Sequence, residues 1–125
     1  MNIENLNEVE TYIENNKNII MTKCSSILGK RIENANFNGI VGGKNTSYNV
    51  RTENYSTASE YVEAWFDSFE RLLQSEKDFE RISTFDSGAR SEKSVHRMKK
   101  LLNDKDVKNF ITVYLARTYL RKSNK

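Results

Sequence analysis

Through most of the chain apolar residues recur at steps of three and four, the spacing of amphipathic helices. Over 5–28 the set is Leu6, Val9, Ile13, Ile20, Cys24, Ile27 and Leu28, and Gly29 stands where a left-handed cap belongs. The far side of this first helix carries Asn7, Thr11, Asn18, Thr22 and Ser25, polar but uncharged. A solvated helix face is usually charged, so this one invites a partner or a second chain. Over 57–74, Thr57 and Glu60 have capping-box spacing, and Tyr61, Val62, Trp65, Phe66, Phe69, Leu72 and Leu73 form the most strongly periodic stretch, the predicted core helix. Phe79, Ile82 and Phe85 predict its continuation or a short separate turn before Gly88. A helix over 91–103 buries Val95, Met98, Leu101 and Leu102. Asp104 then caps a last helix over 104–121 that runs on Val107, Phe110, Ile111, Tyr114, Leu115 and Thr118.

Between the first two helices the pattern changes. Residues 37–41 and 46–52 read as two short strands, the second alternating Thr46, Tyr48, Val50 and Thr52, joined by the loop Gly42-Gly43-Lys44-Asn45. A two-stranded ribbon is marginal in water, so Phe37 and Tyr48 are its expected anchors on the helices. The predicted fold is therefore α+β and predominantly helical. It has four to five helices and one small two-stranded β-hairpin over 37–52, in a single domain spanning 1–125.

Composition narrows the chemistry. With 125 residues, 37% hydrophobic and 30% charged, the chain has enough apolar material for one core and little for a second. Cys24 is the sole cysteine, which excludes an internal disulfide and a cysteine-based zinc cluster and fits a buried, reduced thiol. His96 is the sole histidine, so the usual transition-metal ligand sets are missing and no cofactor is expected. The longest apolar runs fall far short of a bilayer span, and the chain opens on Glu4, Glu8 and Glu10 instead of a basic, apolar leader. No membrane association is expected, and the cytoplasm is the expected compartment.

The net charge of +3 hides a division: residues 1–89 carry 9 Lys/Arg against 14 Asp/Glu, whereas residues 90–125 carry 11 against 3. On the helix over 91–103, Lys93, Arg97 and Lys100 share the side opposite the apolar residues, reinforced by Lys99. Arg117, Arg121 and Lys122 close the last helix, where the macrodipole favours cations. These seven residues form the candidate surface for nucleic acid or a nucleoprotein complex. The order of helices resembles a helix-turn-helix reader, but the joint over 85–90 is longer than that motif uses. No Asn or Gln opens the basic helix to read adenine, so sequence specificity is not expected. The separate acidic and basic faces support an alternative: a protein-interaction module, such as an inhibitor, an immunity protein or an assembly subunit, or a homo-oligomer.

Three further patterns were weighed. The glycine loop lacks the P-loop spacing, since Asn38 stands where the first glycine belongs and Asn45 follows Lys44. The stripe Glu60, Glu63, Asp67 and Glu70 has the form of a solvated helix face, with a divalent-cation site or phosphate mimicry as its functional alternatives. Arg90-Ser91-Glu92-Lys93-Ser94-Val95-His96 resembles the R-x4-6-H motif of HEPN-type ribonucleases, a family of small helical bundles, usually dimers. The resemblance implies metal-independent RNA cleavage, with His96 as general acid or base and Arg90 stabilising charge on the phosphate. It covers seven residues, and the reading carried forward is a non-enzymatic binding protein.

Overall fold

The helices that open at Leu6, Ala58 and Lys105 each begin where a side chain satisfies unpaired amides. The computed structural model describes residues 1–41, 50–82 and 96–123, with side chains of the middle segment described as far as Gln74, Leu72 excepted. Within these residues lie α1 (Leu6–Leu28), α2 (Asn34–Val41), a 3-10 turn (Thr52–Asn54), α3 (Ala58–Ile82), α4 (96–102) and α5 (Lys105–Ser123). In α1 the Asn5 side chain accepts from the Glu8 amide. At its other end Gly29 takes φ 65°, and the amides of Gly29 and Lys30 return to the carbonyls of Ser26 and Ser25. That paired return closes the helix as a Schellman turn, which a residue with a Cβ adopts only under strain.

The start of α3 is satisfied jointly by its own residues and by the chain's first turn. The Thr57 hydroxyl accepts from the Glu60 amide at 3.1 Å, while the Glu60 carboxylate reaches the Ser56 amide, one position earlier than a capping box requires. Glu4 takes the two amides left over, with Ala58 N at 2.7 Å and Ser59 N at 3.0 Å, and also accepts from the Ser59 hydroxyl at 2.7 Å. The N-terminal ends of α1 and α3 are thereby fixed side by side.

Helix α5 runs antiparallel to both. Against α1, Lys23 meets Asp106, the Asn109 amide donates to Tyr12 Oη at 2.8 Å, and Arg121 reaches Glu10. Against α3, Tyr119 stacks on Tyr61 at 5.9 Å and donates to the Tyr55 carbonyl at 2.7 Å, while Lys108 lies 5.7 Å from the Phe66 ring centre. Val107, Phe110, Ile111, Val113, Leu115, Ala116, Tyr119 and Leu120 are all buried, so α5 is covered around most of its circumference. The sequence reading placed the core on Trp65 and Phe69, which are indeed buried and stacked at 5.8 Å. It passed over Val113, Ala116, Tyr119 and Leu120, the residues that make α5 the central helix.

The α+β expectation is overturned. No strand occurs among the described residues, and residues 37–41, read as the first strand of the hairpin, belong to α2. Phe37, Ile40 and Val41 are the buried residues of α2, and their i, i+3, i+4 spacing suits a helix as well as a short apolar run suits a strand. Phe37 does anchor this segment, its ring 5.6 Å from that of Phe110. Of the second expected strand, Val50 and Arg51 are irregular and Thr52 opens the 3-10 turn. The loop Gly42-Gly43-Lys44-Asn45, with Thr46 and Tyr48, lies outside the described residues, as does Gly88. The predicted core helix extends beyond residue 74 to Ile82.

Glu4 makes this joint pH-dependent. Burial pushes its carboxyl up, but the Ser59 hydroxyl and the Ser59 and Ala58 amides outweigh it and hold the group below its ordinary 4.5. A depressed carboxyl stabilises the fold fully above the ordinary value and loses that contribution as the pH falls through the lowered one. Glu4→Gln is expected to cost about 1 kcal/mol at neutral pH, the usual worth of a helix cap. The difference from the wild type should shrink in urea unfolding as the pH falls below the ordinary carboxyl value of 4.5 and through the lowered one, and a difference independent of pH would contradict the role of the charge.

Candidate nucleic-acid interface

Helix α4 carries the middle of the basic segment. Met98 and Leu101 are buried, which turns His96, Lys99 and Lys100 outward and leaves Arg97 half-buried. Arg90 and Lys93 lie outside the described residues. The amides of Asn103 and Asp104 bond back to the carbonyls of Lys100 and Leu101, closing α4 in a two-residue turn. The Asp104 carboxylate then caps α5, accepting from Asp106 N at 2.9 Å and Val107 N at 3.0 Å. Lys105 and Lys108, in the opening turns of α5, are exposed. Four exposed lysines thus stand within ten positions around one turn.

The carboxylates at this corner are held by other groups. Lys23 donates to Asp106 at 2.6 Å and stands 3.9 Å from Asp104. The Lys23 hydrogen bond, then its charge, holds the Asp106 carboxyl below its ordinary range, with a smaller contribution from Lys105. The same bond raises Lys23 above its ordinary value. Asp104 is occupied by the end of α5. Among the described residues Lys99 and Lys100 have no carboxylate partner. On α5 an open depression of about 340 Å³ is lined by Lys105, Asp106, Lys108, Asn109 and Thr112.

The cations at the far end of α5 behave differently. Arg121 forms a two-pronged bond to Glu10 of α1, with Nε at 2.7 Å and the second prong at 3.0 Å. Arg117, with 15% of its side chain exposed, lies 3.8 Å from the same carboxylate and 4.5 Å above the Tyr114 ring. Both guanidiniums join α5 to α1, while Lys122 remains exposed. About 24 Å of helix separates Arg121 from Lys105. The described residues of the set proposed from sequence therefore fall into two groups. Lys99 and Lys100 stand at the α4–α5 corner with Arg97 beside them, and Arg117 and Arg121 belong to a helix-helix contact. Lys105 and Lys108, outside the set proposed from sequence, follow Lys99 and Lys100 across the turn at Asn103 and Asp104. Their signal was the run of cations on both sides of a predicted cap.

The other candidates divide in the same way. His96 is exposed, but its alignment with Arg90 lies outside the described residues. Glu60, Glu63, Asp67 and Glu70 all face outward, and no group of three or more metal-ligating side chains occurs among the described residues. Trp65 and Phe69 are buried, with Trp65 edge-on to Phe66 at 5.1 Å, so they pack the core. Burial, then the Asp104 charge, pushes the Cys24 thiol up to about 11, which keeps it protonated at neutral pH. No helix among the described residues is long and apolar enough to cross a membrane.

Because Glu10 serves two arginines, its loss should be felt at both. Glu10→Ala is expected to lower the unfolding free energy by about 1 kcal/mol, the upper end for a half-exposed ion pair. The loss should diminish in about 1 M salt, and urea titrations at low and high salt measure it. An unchanged midpoint at low salt would remove the clamp from the account.

No family model, curated protein or solved structure gives a significant match to this chain.

Proposed function

We propose that this chain is a non-enzymatic binding domain that engages nucleic acid, alone or within a nucleoprotein complex, through the α4–α5 corner. The observation that carries the reading is the exposure of Lys99, Lys100, Lys105 and Lys108 around one turn, while the neighbouring carboxylates Asp104 and Asp106 are committed to a helix cap and to Lys23. Lysine ammoniums on flexible stems suit phosphate oxygens and carry no base-reading geometry. The expected binding is electrostatic, tolerant of sequence and sensitive to salt. The capped end of α5 already holds a carboxylate, so the lysines themselves make the phosphate contacts. Such a role fits a cytoplasmic protein. The competing reading, a module for a protein partner, draws its support from the uncharged residues on the outer face of α1.

Each phosphate contact on duplex DNA contributes about 0.9 to the slope of log K against log salt. The double variant Lys99→Gln/Lys100→Gln is therefore expected to flatten the slope by about 1.8, whereas Lys122→Gln leaves it nearly unchanged. Fluorescence anisotropy of labelled duplex, single-stranded DNA and RNA over a range of salt provides the measurement. Equal slopes for the wild type and the double variant, or cleavage of the RNA, would overturn the proposal.

A further inference from the structure

The outward side of α1 carries an exposed apolar side chain and an open groove. Asn7, Thr11, Asn15, Asn18, Ile19 and Thr22 are exposed and uncharged, with the exposed carboxylate of Glu8 among them. Ser25, which the sequence reading placed on this side, is half-buried: its hydroxyl donates to the Met21 carbonyl and accepts from the Ile32 amide. Among the described residues the exposed large apolar side chains are Met1, at 59%, and Ile19, at 60%. Both belong to this side of the molecule. Met1 lines an open groove of about 440 Å³ with Asn7, Glu8, Thr11, Tyr12, Asn15 and Asn16 of α1. Ile19 stands one turn beyond Asn15, outside the groove. The face thus presents a protruding side chain and a recess about two turns apart.

A two-fold contact requires one patch to be complementary to itself, and a knob beside a hole on one helix meets that requirement when the helices run antiparallel. Charge selects the same direction. On the side of α1 that carries Ile19, the carboxylate Glu8 stands near the start of the helix and the cation Lys23 near its end. Antiparallel copies bring Glu8 of one to Lys23 of the other, whereas parallel copies set like charges together. The two requirements share one register. With the axis beside Asn15 and Asn16, Ile19 of one copy comes over the groove at Tyr12 of the other, and Glu8 comes level with Lys23, whose ammonium has donors beyond the one given to Asp106.

We infer that α1 is the contact between two copies of this chain, packed antiparallel about a two-fold axis, with Ile19 of each copy seated in the groove lined by Met1, Thr11, Tyr12 and Asn15 of the other. The inference is independent of the α4–α5 corner. Sedimentation equilibrium of the full chain is expected to show a dimer, and Ile19→Arg is expected to raise the dissociation constant at least about tenfold, as for a central contact residue. Ile19 is exposed, so the variant should keep its helical circular dichroism. Direction is read by mild oxidation of a mixture of Thr11→Cys and Ile19→Cys chains, one of them tagged, since Cys24 is buried. Mixed cross-links support the antiparallel register. A monomer at every concentration up to about 0.1 mM, a dimer that Ile19→Arg leaves intact, or cross-links only between like chains would each overturn it.

Discussion

The fold depends on α5 being covered on nearly every side. A helix that buries Val107, Phe110, Ile111, Val113, Leu115, Ala116, Tyr119 and Leu120 has no apolar stripe to turn towards a single neighbour, and it is stable only if other elements enclose it. Helices α1 and α3 do this from two sides, both antiparallel to it, and Phe37 of α2 packs against Phe110. With α5 fixed, the polar contacts fall into place at its two ends. Lys23 holds the first turn through Asp106 and Asp104, and Glu10 holds the last through Arg117 and Arg121. Glu4 closes the remaining joint, between α1 and α3.

This division of α5 assigns different work to residues that look alike in the sequence. Arg117 and Arg121 carry the same charge as Lys99 and Lys105, and composition alone counts them together. Their surroundings separate them: two guanidiniums converge on one half-buried carboxylate, while the lysines face solvent beside carboxylates already engaged elsewhere. Planar, forked guanidinium groups suit the first task, and flexible ammonium groups suit the second. The distribution of charge along the chain thus contains both a clamp between α1 and α5 and a group of exposed lysines.

The parts of the structure legible in the sequence were those governed by local chemistry. The 3.6-residue period marks α1 and α3, Gly29 marks the end of α1, and Thr57 and Asp104 mark helix starts, because each depends on residues within one or two turns. Residues 37–41 were misread because a five-residue apolar run has no local feature that distinguishes a buried strand from a short helix; packing of Phe37 on Phe110, 73 positions later in the sequence, accompanies the helical outcome. The pairings Glu4 with Ser59, Glu10 with Arg121 and Lys23 with Asp106 are long-range, and no spacing rule reaches them. For that reason the intramolecular contacts of Arg117 and Arg121 are not legible in the sequence. The basic character of the segment was legible, but which of its cations remain available depended on the tertiary fold.

The account's central claim is that the α4–α5 corner, and not the far end of α5, meets the partner. Backbone amide shifts recorded while a short DNA duplex is titrated into isotope-labelled protein at low salt test this directly. The account predicts that the largest changes fall over residues 99–108, with those of Arg117 and Arg121 small. Changes centred on Arg117 to Lys122, or on the outward side of α1 with the corner unaffected, would contradict it.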